Sequence, residues 1–328
     1  MKKLRFISGL AFVGVVAALV LFVVWSNRGP RYEGKSPRYW VGQLVRRNTA
    51  ARPALLALGP AAAPALANAV RARQSWLEKK LASFRPRLPK WMARRVLSPF
   101  EARVRQQYAL EVLEELGPSA APAIPALLDL DSRGSDEFLI YSVSAQRVML
   151  SIGEAGLPEL IRVLDRGKEP AARARAAVYL GLLGAKAAPA SLALAKALHD
   201  SNPIVRKEAV GALAQIGPAA AAALPALQAA LKLDNDEFRL QVVEALWDIG
   251  HNSELTVPVL VKVLRDPQHP SRARAATILA RMGPAAKAAA PVLKAVTQEE
   301  FSYTRVKAEE ALREIGSGPP APAIGQLE

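Results

Sequence analysis

Few residues in this 328-residue chain have the type and spacing that chemistry needs. Histidine occurs only at His199, His251 and His269, and none stands beside a glutamate. There is no H-E-x-x-H pair for zinc and no G-x-x-x-x-G-K-[ST] loop for nucleotide phosphates. Cysteine is absent, which excludes a disulfide framework, thiolate metal ligands, a cysteine nucleophile and a lipidated N-terminal cysteine. Each histidine falls near a turn between helices, where a solvated ring is expected. No catalytic, cofactor-binding or metal-ligating set emerges, so neither catalysis nor a cofactor is expected.

Two groups of charged residues remain. The first is a segment at 74–99 that holds Lys79, Lys80, Arg85, Arg87, Lys90, Arg94 and Arg95 against Glu78 alone. Trp76, Trp91, Leu81, Phe84 and Leu88 interleave with them. Basic residues mixed with tryptophan and leucine suit the interface of an anionic membrane. The same composition could hold another polyanion through phosphate contacts and stacking. It would also suit a helical insertion whose aromatics pack while its lysines stay solvated. The second group is a column of arginines with a fixed period: Arg173, Arg206, Arg239, Arg272 and Arg305. It could be a basic ladder for phosphates. The better reading is structural, because Asp200, Asp266 and Glu299 form an acidic column six residues ahead of Arg206, Arg272 and Arg305. Position 233, where the acid ahead of Arg239 should stand, is Leu233, with Asp234 next to it.

A column of this kind needs a repeating element to carry it. Gly184, Gly217, Gly250, Gly283 and Gly316 recur every 33 residues. Looser copies precede them at Gly59, Gly117 and Gly153. An apolar residue precedes each, and Pro60, Pro118, Pro218 and Pro284 follow four of them. A helix that meets glycine can end in the left-handed conformation at little cost, and proline then stops it from continuing. These glycines are the expected structural turns. Leu180, Leu213, Leu246, Leu279 and Leu312 keep the same period, beside a slim column of Ala176, Ala209, Val242, Ala275 and Ala308 that lets helices approach closely. In the second helix of each unit Leu194, Leu227, Leu260 and Leu293 align, as do Pro225, Pro258 and Pro291. Apolar residues make up 51% of the chain but aromatics only 6%. Alanine and leucine dominate that apolar share, and both favour helix.

The run Pro203-Ile204-Val205-Arg206, with Ala209, Ala212-Leu213 and Ile216-Gly217-Pro218, resembles the HEAT repeat, especially the short bacterial variety also found in phycobilin lyase-related proteins. The resemblance covers roughly 37–316 in about eight helical pairs and is strongest from 168 onwards. It implies an all-α fold, an α-α superhelix of antiparallel helix pairs, and no particular chemistry. HEAT-type di-iron hydroxylases carry repeated His-Glu ligands that this chain lacks. HEAT-like DNA glycosylases use aromatic, Asp and Arg residues; Trp247 and Asp248 are adjacent here, but Trp247 sits beside the Leu246 core column and is assigned to packing or a groove wall. The stretch Tyr32-Glu33-Gly34-Lys35-Ser36 with Trp40 is similar to the juxtamembrane start of some bacterial membrane-anchored HEAT proteins.

Ahead of the repeats, Phe6 to Trp25 runs without a charge. Its 20 residues would span roughly 30 Å as a helix, the thickness of a hydrocarbon core. This predicts a single transmembrane anchor over 1–27, a juxtamembrane linker over 28–36, a solenoid over 37–316 with the basic insertion at 74–99, and a Pro-rich tail over 317–328. A cleaved signal peptide is the alternative, but the apolar run exceeds the usual signal length and no A-x-A-like site follows it. Lys2, Lys3 and Arg5 favour a solenoid outside the cytoplasm; Arg28, Arg31, Lys35 and Arg38 oppose that orientation. Residues 1–105 hold 21 Lys/Arg and 3 Asp/Glu, a net +18, whereas the rest of the chain has a net −3. The basic character belongs to the membrane-proximal third, which argues against nucleic acid along the whole array.

The expected function is a membrane-tethered scaffold for a protein partner, with lipid contact through 6–25 and through 74–99. The concave face would present Lys196, Gln228, Lys262 and Lys294, a mildly basic surface better suited to a protein than to a small molecule. Two alternatives are a lyase-like or chaperone-like accessory to a cofactor-bearing protein, and polyanion or anionic-membrane binding through the insertion.

Overall fold

In the computed structural model, residues 29–46, 48–71, 98–131, 138–232, 236–300 and 302–316 are described. The apolar segment 6–25, almost all of the basic insertion and the tail 317–328 lie outside them. Among the described residues the regular structure is helical, apart from one isolated bridge between Tyr32 and Lys35.

The chain divides into two compact units, Met1–Glu159 and Leu160–Glu328. The first contains α1 (Pro37–Leu44), α2 (Ala51–Leu58), α3 (Ala63–Arg71), α4 (Pro99–Leu116), α5 (Ile124–Asp131) and α6 (Phe138–Ile152). Here α4 packs on α3 and α6, and α5 packs on the same two helices. Before α1, Tyr32 and Lys35 exchange backbone hydrogen bonds of 3.0 and 2.9 Å around Glu33 and Gly34, both at positive φ. This turn lays Lys35 Nζ 4.9 Å from the Tyr39 ring and 5.2 Å from that of Trp40. Trp40 is buried and its indole N–H donates to Tyr32 O at 3.3 Å. At the head of α4, Ser98 Oγ accepts from Glu101 N–H (3.1 Å) and Ser98 N–H donates to Glu101 Oε2 (2.7 Å). That reciprocal pair satisfies two of the amides a helix start leaves open.

Helix α7 (Leu157–Arg166) leads into the second unit, which holds α8 (Pro170–Leu182), α9 (Ser191–Ala197), α10 (Pro203–Ile216), α11 (Leu224–Ala230), α12 (Asp236–Gly250), α13 (Ser253–Arg265), α14 (Arg272–Met282), α15 (Ala290–Thr297) and α16 (Tyr303–Gly316). First helices stack on first helices: α8 on α10, α10 on α12, and α14 on α16. Each second helix packs against the next first helix, as α9 does on α10 and α15 on α16. The periodic columns form the core. Leu180, Leu213, Leu246 and Leu279 are buried, as are Ala176, Ala209, Val242, Ala275 and Ala308. Leu194, Leu227, Leu260 and Leu293 are fully buried on the second helices. Leu312, in the last repeat, is only partly buried.

The turns differ from expectation in three ways. Gly217 closes α10 at φ 68° and ψ −144°, and Gly283 closes α14 at φ 57° and ψ −136°. These angles are the mirror image of extended backbone rather than a left-handed helical turn, and that region is almost exclusive to glycine. A seven-residue 3-10 segment follows each, Gly217–Ala223 and Gly283–Ala289, before the second helix begins. Gly250 is the exception. It is the last residue of α12, and the positive φ falls on the following His251, at 48°. No proline follows, and Asn252 caps α13 directly by accepting from Leu255 N–H at 3.2 Å. Helix α13 therefore starts at Ser253, four residues ahead of the repeat phase, and Pro258 lies inside it rather than at its head. Pro225 and Pro291 do sit in the first turns of α11 and α15. Gly316 ends α16 within the helix.

The stretch Pro203–Ala230 is long and apolar enough to cross a membrane by length and composition. Gly217 breaks it into α10 and α11, however, and Val205, Val210, Leu213, Ile216 and Leu227 are buried in the repeat core.

Candidate interaction surface

The arginine column joins neighbouring repeats. Arg173 of α8 grips Asp200 of the next repeat with two bonds, Nε to Oδ2 at 2.7 Å and Nη2 to Oδ1 at 2.8 Å. Both side chains are only 12% exposed. Arg272 of α14 also holds Glu299 with two bonds, but through Nη1 and Nη2, at 2.9 and 2.6 Å, while its Nε donates to Leu264 O. The acids also use their backbone. Asp200 O accepts from Arg206 at 2.7 Å, and Glu299 O accepts from Arg305 at 3.5 Å. Each acid thus bonds the arginine of the preceding repeat by side chain and that of its own repeat by carbonyl. Arg173 holds the Asp200 carboxyl below the usual carboxylate range, against the opposing effect of burial. Arg272 does the same for Glu299.

The ladder is interrupted in the middle. Arg239 turns to Leu231 O at 3.0 Å and to the Asp236 carboxylate of its own helix rather than to Asp266. Asp266 instead accepts from Gln268 N–H at 3.1 Å. Arg206 bonds only the carbonyls of Asp200 and Ser201 among the described residues. The outer faces of the first helices carry further bridges one repeat apart, Arg147–Glu114 at 2.7 Å and Arg281–Asp248 at 2.9 Å.

Of the four residues expected on the partner-binding face, Lys196, Gln228, Lys262 and Lys294 all lie on second helices, and all are exposed. Lys196 is not a bare cation, because its ammonium pairs with the Asp165 carboxylate of α7. That contact holds Asp165 below its ordinary value. Lys262 borders a 390 Å³ hollow between the ends of α11, α12 and α13, shared with Arg239 and Pro258. The insertion residues Trp76, Lys79, Lys80, Arg85, Arg87, Lys90, Trp91, Arg94 and Arg95 lie outside the described residues.

The histidines are not uniformly solvated. His269 is only 11% exposed; its Nδ1 accepts from Ser271 N–H at 3.1 Å and its Nε2 lies 3.2 Å from Asp236 Oδ2. The accepting Nδ1 leaves the ring proton on Nε2, directed at the carboxylate. His251 stands edge-on to Trp247 at 5.0 Å between ring centres, and Trp247 packs against the core of the last repeats. His199 is exposed. Among the described residues no three His, Asp or Glu side chains converge as metal ligands would.

This geometry, helix pairs repeated every 33 residues and cross-linked by arginine and acid, agrees with sequence comparison: the model for HEAT repeats matches residues 157–247 and 224–313. The chain is a HEAT-repeat protein. No curated protein matches this HEAT-repeat chain in sequence. Among solved structures, Kap121p is 17% identical over 84% of this chain and 33% of its own length, with a TM-score of 0.50. A Kap121p mutant gives 15% identity, 84% and 34% coverage, and a TM-score of 0.51. An engineered protein is 20% identical over 86% of this chain and 95% of its own, with a TM-score of 0.43. The HEAT-repeat chain spans about a third of Kap121p, and at these identities the likeness establishes fold alone.

Proposed function

We propose that this HEAT-repeat protein is a non-catalytic scaffold that binds a protein partner along its second helices and is held at the membrane by Phe6–Trp25. The exposed row of Lys196, Gln228, Lys262 and Lys294 carries the reading. Each of these side chains lies one or two residues past a fully buried leucine, so the leucines hold the helices while the row stays open to solvent. A surface supplied by successive rigid helix pairs matches an extended macromolecule better than a small ligand, which would need an enclosing pocket. The uncharged run ahead of the repeats supports the tether.

Affinity capture of the tagged, detergent-solubilised full chain tests the scaffold. A reproducible protein should be recovered, and the fourfold variant Lys196→Glu, Gln228→Glu, Lys262→Glu, Lys294→Glu should lose it while still melting cooperatively, with only a small drop in midpoint from the lost Lys196–Asp165 pair. Recovery of no partner across detergents and cross-linkers overturns the scaffold. Undiminished recovery by the fourfold variant moves the binding surface elsewhere.

A further inference from the structure

One rung of the arginine ladder has its cation but not its acid. Arg173 and Arg206 stand one repeat apart and are held alike. Nη1 of Arg173 donates to Gly167 O at 2.9 Å and Lys168 O at 3.3 Å, six and five residues back. Nη1 of Arg206 donates to Asp200 O at 2.7 Å and Ser201 O at 3.2 Å, again six and five residues back. In Arg173 this posture leaves Nε and Nη2 side by side, and both close on Asp200. The residue in the matching place for Arg206, 27 positions on, is Leu233. Nε and Nη2 of Arg206 accordingly donate to none of the described residues. They form a guanidinium edge oriented for two parallel bonds to a carboxylate, the geometry in which arginine binds acids most strongly.

The edge lines a cavity of about 580 Å³ between the start of α10 and the first turns of α12. Its acidic walls are already neutralised: Asp200 is held by Arg173, and Glu237 pairs with Arg274. Lys207 also lines it, is exposed, and makes no ion pair with a described residue. The local balance is therefore positive. Beside the charge lies apolar surface, because Pro203 and Ile204 form part of the wall and Ile204 is 59% exposed.

We infer that this cavity takes an aspartate or glutamate side chain of a protein partner in a two-bond clasp on Arg206, with an adjoining apolar side chain of the same segment resting on Pro203 and Ile204. The intramolecular Arg173–Asp200 clasp, made through the same Nε and Nη2 edge, is its template. A small free carboxylate would satisfy the guanidinium but leave Ile204 uncovered, which favours a peptide segment. The inference rests on the scaffold reading for the nature of the occupant.

The test uses the full chain in detergent with three probes: a fluorescein-labelled (Glu-Leu)4 peptide, its (Gln-Leu)4 counterpart, and sodium acetate as competitor. The acidic peptide should bind at least about tenfold tighter than the amide one, the scale of a two-bond charged contact. Arg206→Gln should abolish that difference, with a modest drop in melting temperature from the lost bonds to the Asp200 and Ser201 carbonyls. Leu233→Asp, which supplies an acid at the sequence place of Asp200 and Glu299, should abolish it too and raise the melting temperature. Equal binding of the two peptides, or a preference that survives Arg206→Gln, overturns the site. Acetate that competes at the acidic peptide's own affinity overturns the peptide as occupant. The two readings separate cleanly. A partner captured equally well by Arg206→Gln leaves the scaffold standing without this site, whereas peptide discrimination with no captured partner leaves the site standing without the scaffold.

Discussion

Gly217 and Gly250 occupy the same place in the sequence repeat but not the same backbone conformation. Gly217 sits at φ 68° and ψ −144° with nothing near an added Cβ, so any loss on substitution comes from backbone strain alone. Gly217→Ala should cost about 1–3 kcal/mol. Gly250 lacks positive φ, and an added Cβ would meet only the Leu224 side-chain end, Cδ2 at 3.2 Å. Gly250→Ala should therefore cost less than about 1 kcal/mol, because a flexible side chain can yield and alanine favours helix. Paired urea melts decide; equal losses would contradict the assignment of the turn to His251. At the ladder, Asp200 is titrated against Arg173. Its carboxyl is held below the free value, so the stabilisation is complete above the unfolded-state pKa of about 3.9 and disappears as pH falls through the lower folded value. Asp200→Asn leaves Arg173 without its acid and should cost about 3–5 kcal/mol at pH 7. The gap between the two proteins should persist down to about pH 5, begin to narrow at about pH 4 and vanish only as the pH falls through the lowered folded value. A gap independent of pH would show that Asp200 acts through packing rather than charge.

Between elements, α8 and α10 approach closely at Gly181. A Cβ on Gly181 would lie 2.5 Å from Gln215 Oε1, 2.9 Å from Ala212 Cα and 3.3 Å from Ala212 Cβ. The Ala176–Ala209 column lies on the same helix pair, and both its residues are fully buried. The side chain of Gln215 can swing away, but the backbone at Ala212 cannot. Gly181→Val should force the helices apart and cost about 2 kcal/mol, the usual scale of overpacking. Denaturant melts would show it as a lower midpoint, and an unchanged midpoint would mean that α8 can slide without loss. The Ala176 column was plain in the repeat. Gly181 was not, because it falls outside the turn column and only the packed helices show what it faces.

For the molecule as a whole, 21 Lys/Arg and 3 Asp/Glu in the first 105 residues, together with the uncharged run Phe6–Trp25, argue for a chain that meets lipid at its basic end. Removing residues 1–28 should move the protein from the alkali-washed membrane pellet to the supernatant. Retention in the pellet would transfer membrane binding to another segment, with the basic stretch 74–99 the first to test by neutralising Arg85, Arg87, Arg94 and Arg95. The scaffold and the acid-binding cavity are independent of that outcome, since both are built within Leu160–Glu328.

The 33-residue period was enough to determine the helix pairs, the leucine and alanine columns that become the core, and the linkage of arginine to acid across repeats. These follow from burial and helical spacing, which leave a mark at every repeat. Leu233 already marked where the ladder lacks an acid. What the period could not carry is direction. It did not reveal that Arg173 reaches forward to Asp200 while Arg206 takes the Asp200 carbonyl, that His251 rather than Gly250 bears the positive φ, or that His269 is enclosed beside Asp236. Those depend on which atoms meet once neighbouring repeats are stacked, and single-repeat spacing is the same whichever way a side chain turns. The cavity at Arg206 is the clearest case: a missing acid is visible in sequence, but only packed helices show that Arg206 lines a cavity and donates to no carboxylate among the described residues.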